Sequence, residues 1–414
     1  MKLKIKNFGP IKNGFGEDGF MEITDFTMFI GPPGSGKSTI AKALSTLMWI
    51  EKALIRGDFT DKELKLPGRF RARFDFHNIK SYFSDDSVIE YVGPMYHIAY
   101  RGEGKLEIER VEPLAVVSIP KIMYVPSERN FISVIPTLSV IRDLSPSFIA
   151  FLDEYNKAQK NLKEELELPI NDVFFSYDKL NDIPWVKRHE NKTRLSQSAS
   201  GFQSLIPLYL VSAFLANEHK SSFRASSGQI VIDKLGPEAI TTDNLKKLHD
   251  ELQEGIKNKQ DVTNLIHKAQ KMLASMNPSH FINIVEEPEQ NLFPEAQINM
   301  MFALLSFRNY NEKNKLIVTT HSPYLINAIS LAAAAKKVYD KEGLSTDVIR
   351  DLELIVPWEA TIGPEQLRVY KTDGEGNVSL LENIDGIPSD ENYLNDLLGD
   401  FNENFGKILE LGDE

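Results

Sequence analysis

The feature that most constrains the fold of this chain is a glycine-rich segment, GPPGSGKS over residues 31–38. An apolar strand is predicted just before it, over Met21 to Ile30, and an amphipathic helix just after it, over Thr39 to Ile55. In this context the glycines let backbone N–H groups converge on phosphate oxygens at a positive helix N-terminus. We expect Lys37 to bind the β- and γ-phosphates and Ser38 to bind Mg²⁺. The residues expected to bind the nucleotide are Gly31, Gly34, Ser35, Gly36, Lys37, Ser38 and Thr39.

A pair of glutamates follows another apolar strand, predicted over Phe281 to Val285. Ligands of α/β proteins bind at the carboxyl ends of parallel strands, so both side chains should lie near the phosphates. Glu286 is the candidate second metal residue, holding Mg²⁺ through water. Glu287 is the candidate general base that polarises the attacking water. The simpler alternative is two solvated glutamates at a strand end.

A third apolar strand, over Leu316 to Thr320, ends at His321. A helix predicted to begin near Pro294 joins it to the preceding strand, and together they form a βαβ unit whose carboxyl ends are neighbours. His321 is therefore a candidate to hydrogen-bond the γ-phosphate or the attacking water. Without the neighbouring motifs, a structural role would be the better interpretation.

A serine- and glycine-rich turn, LSQSASGFQS over residues 195–204, precedes an apolar helix. Ser200 is predicted to be the helix N-cap, where its hydroxyl and the free backbone N–H groups would form another anion site. Ser200, Gly201 and Gln203 are the candidate contacts. The alternative is an ordinary capped core helix. Two anion sites in one chain suggest two ligands, or one ligand shared between subunits.

Charge and composition exclude several classes of protein. The net charge of −12 excludes binding nucleic acid through a uniformly basic surface. With no cysteine there is no disulfide, Cys-ligated zinc or Fe–S cluster. No stretch is apolar enough to cross a membrane, so we expect a cytoplasmic protein without membrane partners.

The region between Arg69 and Val125 is predicted to form an antiparallel β layer, and helices predominate from Asn130 to about Asn277. If FRARFDF at 70–76 is a strand, then arginines 69, 71 and 73 share one face and are a candidate contact for a phosphate backbone. A solvated strand face is the favoured alternative.

Together the motifs resemble those of the ATP-binding-cassette ATPase superfamily. Residues 31–38 correspond to Walker A, 199–203 to the signature, 281–287 to Walker B and His321 to the switch histidine. NFGPI, YVPSER (124–129), EEPEQNLFP (286–294) and TTHSPYLI (319–326) are similar to the overcoming-lysogenization-defect class, a relative of RecF and SMC-type heads. The departures are Pro33 for the usual asparagine, Glu286 for aspartate, Ala199 and Phe202 in the signature, and Ser127, Glu128 and Arg129 where the Q-loop glutamine would lie.

The resemblance implies an α/β P-loop NTPase fold, namely an ATPase head with an antiparallel β layer and an inserted helical lobe. It implies a single domain over 1–414, with the lobe over 131–280, a family-specific insertion over about 218–277 and an acidic helical tail over 381–414. It further implies Mg²⁺-dependent ATP hydrolysis at sites shared within a head-to-tail homodimer or higher homo-oligomer.

No two-metal nuclease motif follows His321, so we expect an ATPase without its own nuclease. The resemblance then implies that it controls a separately encoded effector, as stand-alone members of this class do in bacterial anti-phage systems. The main alternative is a recombination or repair ATPase of the RecF or SMC type that clamps DNA; DNA binding is possible but not required. A transporter subunit and a binding module without hydrolysis are weaker alternatives.

Overall fold

The computed structural model describes residues 1–16, 19–102, 104–111, 119–135, 143–170, 172–219 and 278–412. Apart from its first two residues, the insertion predicted over 218–277 lies outside these ranges. Within them, none of the helices combines the length and the apolar composition needed to cross a lipid bilayer.

A seven-stranded sheet forms the centre of the fold. In spatial order its strands are β2 (Gly14–Phe15), β16 (Asn377–Leu380), β15 (Leu367–Thr372), β4 (Phe26–Ile30), β14 (Lys315–Thr320), β13 (His280–Glu286) and β8 (Pro120–Val125). The five strands from β15 to β8 are parallel, and β16 runs antiparallel to β15. The predicted βαβ unit is confirmed, because β13 and β14 are parallel neighbours.

A five-stranded antiparallel sheet forms a second layer. Its strands in order are β3 (Met21–Glu22), β1 (Lys2–Phe8), β5 (Phe83–Val92), β6 (Tyr96–Arg101) and β7 (Lys105–Arg110). Within the region predicted as an antiparallel layer, residues 83–110 confirm it, whereas β8 at the end of that region belongs to the central sheet. The single strand predicted over Met21 to Ile30 is wrong, because it contains two strands of different sheets. Thr24 ends the first part by donating a hydrogen bond to the Phe26 carbonyl at 2.8 Å.

The strand predicted over FRARFDF is also wrong. Its first part forms the short helix α3 (Arg69–Ala72), and a 3₁₀ turn follows over Arg73–His77. Phe70 and Phe74 are both buried, and their spacing of four residues is that of a helix. The three arginines therefore do not share a strand face: Arg71 donates to the Tyr100 hydroxyl at 2.7 Å, and Arg73 lies over the ring of Phe59.

The helical lobe contains a sheet as well as helices. Its described helices are α4 (Phe131–Val134), α5 (Pro146–Asn161) and α6 (Ser200–Glu218). The antiparallel sheet has the order β12 (Asn191–Arg194), β11 (Ile183–Arg188), β10 (Val173–Asp178) and β9 (Leu166–Glu167). Interpreting the region as helical misses this sheet, whose chain leads directly into the signature turn.

The remaining helices are α1 (Lys37–Arg56), α2 (Asp61–Leu64), α7 (Pro294–Asn309), α8 (Pro323–Tyr339), α9 (Thr346–Glu353) and α10 (Tyr393–Gly412), and β17 (Asn383–Ile384) and β18 (Ile387–Pro388) form a hairpin. The acidic tail thus begins with strands, and its helix starts at Tyr393. Leu394 at its first turn is buried, whereas Phe401 and Phe405 are exposed, so among these three residues only Leu394 packs on the core.

The central sheet separates two apolar cores. Phe26 and Met28 of β4 belong to the core under the lobe and helices α6 to α8, and Phe29 belongs to the core formed by α1 and the antiparallel sheet. This alternation follows from the two-residue period of a strand. With both faces covered, the sheet can hold its polar strand ends in fixed positions.

Asp25, the residue before β4, links β14, helix α7 and the turn that precedes β15. Its carboxylate is 2.8 Å from the Lys315 amine and 2.7 Å from the guanidinium of the buried Arg308, and it accepts a 3.1 Å bond from Gln366. Burial acts to raise the pKa of Asp25, but the hydrogen bond and charge of Lys315 and the charge of Arg308 outweigh it, so the pKa is lowered. The ionised carboxylate therefore stabilises the fold.

We predict that Asp25→Asn lowers the free energy of unfolding at neutral pH by about 1–3 kcal/mol, since Arg308 loses its partner. Because the folded pKa is lowered, the contribution is present above the unfolded pKa and is lost as pH falls through the folded pKa. Chemical denaturation at several pH values should thus show the difference shrinking in acid. As a control, Asp75→Asn, in an exposed pair with Lys80, should cost under about 1 kcal/mol. Equal stability of Asp25→Asn and the wild type at neutral pH would contradict this role.

Candidate functional site

The phosphate loop lies between β4 and α1, at the carboxyl edge of the central sheet. Gly34 and Gly36 have φ angles of 78° and 100°, which glycine adopts without strain. Lys37 is buried, and its amine donates to the carbonyl oxygens of Gly31 at 2.7 Å and Pro32 at 2.9 Å. Burial lowers the pKa of Lys37, while the charges of nearby glutamates, Glu287 foremost, act to raise it. The lysine thus lies folded over its own loop, where an incoming phosphate would compete for it.

Thr372, at the end of β15, supports the start of this loop. A Cβ at Gly31 would lie 1.9 Å from the Thr372 hydroxyl oxygen, so the loop can pass here only as glycine. That hydroxyl is 2.5 Å from the Ser35 hydroxyl and donates to the Ile30 carbonyl at 3.1 Å. No sequence motif marks Thr372, so its role is not predicted from the sequence.

A cavity of about 510 Å³ opens over the phosphate loop. It brings together most of the residues expected to act on the phosphates. Its lining includes Gly34, Gly36, Lys37, Ser38, Thr39, Glu287 and His321. The general base and switch candidates therefore face the loop from the ends of neighbouring strands, as the βαβ prediction requires.

Glu286 ends β13 and is 1% exposed. Its Oε1 atom forms no hydrogen bond of ordinary length among the described residues. The buried Tyr124 hydroxyl interacts with the same carboxylate, and the Lys42 amine lies 3.9 Å away. A buried carboxylate oxygen of this kind, together with the Ser38 hydroxyl, suits a hard cation such as Mg²⁺. In the described part of the chain no group of three or more His, Asp or Glu side chains could hold a metal alone. A metal here would therefore also need phosphate and water ligands.

Glu287 and His321 form a hydrogen-bonded pair. The Glu287 Oε1 atom is 2.8 Å from His321 Nε2, and both side chains are partly exposed to the cavity. The hydrogen bond from His321 lowers the pKa of Glu287, and the same bond raises the pKa of His321. Glu287 has a φ of 45°, held by its N–H donating to the Thr319 carbonyl at 2.9 Å. A carboxylate kept ionised beside a phosphate loop can accept a proton from water.

Glu289 positions His321 through hydrogen bonds to the end of β14. Its Oε1 atom accepts hydrogen bonds from the Thr320 hydroxyl at 2.7 Å and the His321 backbone N–H at 2.9 Å. Burial raises the pKa of Glu289, with these two hydrogen bonds acting in the opposite direction. Glu289 lies within EEPEQNLFP, but the sequence predicts no role for it. The structure places it against the end of β14.

The signature turn lies against a different cavity. Ser200 is the first residue of α6, and the prediction that it caps the helix is wrong, because Ala199 occupies the N-cap position and provides no side-chain bond. Gln203 folds back on the turn, its Nε2 atom donating to the Ser198 carbonyl at 3.0 Å and the Ser196 carbonyl at 3.2 Å. Gln203 thus holds the turn, while Ser200 and Gly201 line a cavity of about 420 Å³.

The two cavities share no lining residue. Ser200 and Gly201 therefore do not reach the nucleotide cavity of their own chain in this arrangement. A Cβ at Gly201 would lie 2.9 Å from the Asn291 carbonyl oxygen, so the signature helix starts in close contact with the loop that follows Glu287.

Arg129 connects the Walker B strand end to the signature helix. Its guanidinium is fully buried and donates four hydrogen bonds to backbone carbonyls, so every acceptor is a main-chain oxygen. These carbonyls belong to Pro126 at 3.2 Å, Ser204 at 3.1 Å, Glu286 at 2.7 Å and Glu287 at 2.6 Å. Burial lowers the pKa of Arg129 to about 10, and the nearby glutamates limit the shift. The sequence places Arg129 near the Q-loop position but does not reveal this role.

A family model described as an AAA ATPase domain matches residues 262–326, a segment that includes Glu286, Glu287 and His321. The chain has the fold of a P-loop ATPase.

No curated protein matches it. Among solved structures it is similar to the SMC head domain from Thermotoga maritima, with 12% identity, coverage of 92% of this chain and 98% of that chain, and a TM-score of 0.36. An SMC head bound to the C-winged helix domain of ScpA has 10% identity, coverage of 92% and 96%, and a TM-score of 0.41. An Smc head with an extended coiled coil, bound to the C-terminal domain of ScpA derived from Pyrococcus furiosus, has 10% identity, coverage of 100% and 99%, and a TM-score of 0.34.

We predict that Arg129→Ala lowers the free energy of unfolding by about 3–5 kcal/mol, because several buried carbonyls lose their donor at once. Arg129→Lys should recover only part of the loss, since an ammonium cannot reach the carbonyls that the planar guanidinium bridges. Thermal and chemical denaturation would measure both. The exposed Arg350 is a matched control, and Arg350→Ala should cost under about 1 kcal/mol. Wild-type stability of Arg129→Lys would contradict the bridging role.

Proposed function

We propose that this chain binds ATP with Mg²⁺ and hydrolyses it to ADP and phosphate. The observation that carries the proposal is the Glu287–His321 pair, which lines the same cavity as Lys37 and Ser38. The ends of two neighbouring strands thus place an ionised carboxylate and an imidazole in the cavity that the phosphate loop also lines. The proposal assigns Gly31, Gly34, Ser35, Gly36, Lys37, Ser38 and Thr39 to the nucleotide, and Ser38 and Glu286 to the metal.

In the proposed reaction, Glu287 accepts a proton from a water molecule while the water oxygen attacks the γ-phosphorus. The bond from that phosphorus to the oxygen shared with the β-phosphate breaks, and ADP leaves with this oxygen. Lys37 moves from the carbonyls of its own loop to the β- and γ-phosphates. When bound, Mg²⁺ neutralises phosphate charge. His321 holds Glu287 in place and is the candidate contact to the γ-phosphate.

We further propose that the complete site is shared between two copies of the chain. Ser200 and Gly201 line a cavity separate from the nucleotide cavity, which supports contact with the nucleotide of a second copy in a two-fold dimer. Gln203 keeps the signature turn in shape, because its amide is bonded within the turn.

The biological role remains a proposal that rests on the resemblance to the overcoming-lysogenization-defect class: an ATP-dependent switch that controls a separate effector in bacterial anti-phage defence. The structure does not support the arginine contact expected for the DNA-clamping alternative. Arginines 71 and 73 pack on aromatic rings and do not share one face with Arg69. DNA binding is therefore not part of the proposal.

We predict that Glu287→Gln binds ATP, accumulates as a dimer or larger assembly, and releases phosphate at least about 100-fold more slowly than the wild type. Glutamine keeps the shape of the side chain but cannot accept the proton. Light scattering with ATP and Mg²⁺, followed in parallel with phosphate release, measures both effects.

Two controls separate binding from chemistry. Lys37→Ala should lose ATP binding and ATP-dependent assembly together, and a chelator should stop phosphate release by the wild type. Normal hydrolysis by Glu287→Gln would refute its role as general base. Rapid hydrolysis by a wild-type monomer would refute the shared site.

A further inference from the structure

The signature cavity contains a cationic side chain that the sequence motifs do not predict. Its lining includes Ser200, Gly201, Asn291 and Phe293, and also Arg188 from β11. Arg188 is exposed, and within the described part of the chain its guanidinium forms no ion pair or hydrogen bond. Glu295 is the acidic residue in the lining, and no ion pair joins it to Arg188. The cavity therefore combines hydroxyl, amide and guanidinium donors, a set suited to phosphate oxygens.

The sheet of the lobe accounts for the position of Arg188. In β11, Val186 points into the core, and Arg188, two residues later, lies on the same face at the end of the strand. Arg188 pairs with Asn191 of β12, whose chain continues through a 3₁₀ turn into the signature. The short connection holds the strand end beside the start of α6.

Neighbouring cations of the same sheet are already engaged. Lys187 pairs with Glu165 at 3.2 Å, and the Lys192 amine lies 4.8 Å from the centre of the Trp185 ring. Arg188 differs because its charge faces a cavity and meets no counter-charge in the described structure. An arginine is well suited to this position, since its planar fork binds phosphate oxygens at two points.

We propose that Arg188 binds the γ-phosphate of the ATP held by the phosphate loop of a second copy of this chain. The inference rests on the proposed function and deepens it by adding a catalytic residue that acts across the dimer. The nucleotide cavity of the same chain shares no lining residue with the cavity of Arg188, so a second copy supplies the phosphate. There the guanidinium stabilises the charge that develops on the γ-phosphate oxygens as the bond to ADP breaks.

The first test compares Arg188→Ala, Arg188→Lys and Lys187→Ala. Arg188→Ala should fold normally, because the side chain is exposed, and should lower kcat for phosphate release about 100-fold. Arg188→Lys should recover part of the rate, since it keeps the charge without the fork. Lys187→Ala, which removes the neighbouring cation on the opposite face, should keep the wild-type rate. A wild-type rate for Arg188→Ala, with folding checked by thermal denaturation, would overturn the proposal.

The second test asks whether Arg188 acts on the other copy. Arg188→Ala and Lys37→Ala are each impaired alone, but a mixed dimer has one site with an intact phosphate loop from one chain and Arg188 from the other. The single ATP at that site holds the mixed dimer together, and light scattering checks that it forms. Random pairing of an equal mixture should therefore restore about a quarter of the wild-type rate. Ser200→Arg mixed with Lys37→Ala serves as the reference, because it blocks the signature cavity at a second residue while Arg188 itself is unchanged.

The outcomes distinguish the inference from the function on which it rests. Recovery in both mixtures supports Arg188 acting across the dimer. Recovery only in the Ser200→Arg mixture shows that Arg188 acts within its own chain, which overturns the inference and leaves the proposed function intact. Recovery in neither mixture overturns the shared site and the inference together, while phosphate release by the wild type still tests ATP hydrolysis itself.

Discussion

The arrangement of the candidate site depends on one buried cation. The Arg129 guanidinium donates to the carbonyls of Glu286 and Glu287 on one side and to the Ser204 carbonyl of α6 on the other. A fully buried charge is tolerated only when its donors are matched by acceptors, and here the backbone provides them. The strand end that carries the metal and base candidates is thus fixed to the signature helix, so neither can move far without the other.

The proximity of the candidate nucleotide residues could be predicted because their motifs are local in sequence. Lys37 and Ser38 follow a strand within one contiguous motif, and Glu287 and His321 each follow an apolar strand directly. Parallel neighbours bring such strand ends to one edge, and the 2.8 Å contact between Glu287 and His321 is the result. Periodicity and one topological rule suffice for this part of the fold.

The rest depends on contacts between distant parts of the chain, which no local pattern records. Arg129 bonds to carbonyls 75 and 157 residues away, and backbone acceptors leave no trace in side-chain identity. Thr372 is placed by β15, a strand predicted by no motif. The error at FRARFDF has a different cause. Burial of Phe70 and Phe74 is compatible with both a strand and a helix, because the two residues are four positions apart. Only Phe76, which a strand would bury and which is exposed here, distinguishes the helix from the strand.

The loop from Glu287 to Asn291 connects the nucleotide cavity to the signature cavity. At its start, Glu287 is paired with His321. At its end, the Asn291 side chain donates to the Ser204 hydroxyl at 2.9 Å, and its carbonyl lies against Gly201. A shift of Glu287 when phosphate leaves would therefore displace the start of α6 along two routes, this loop and Arg129. Because that end of α6 faces the signature cavity, the change would reach the nucleotide of the second copy, which couples the two sites of the proposed dimer.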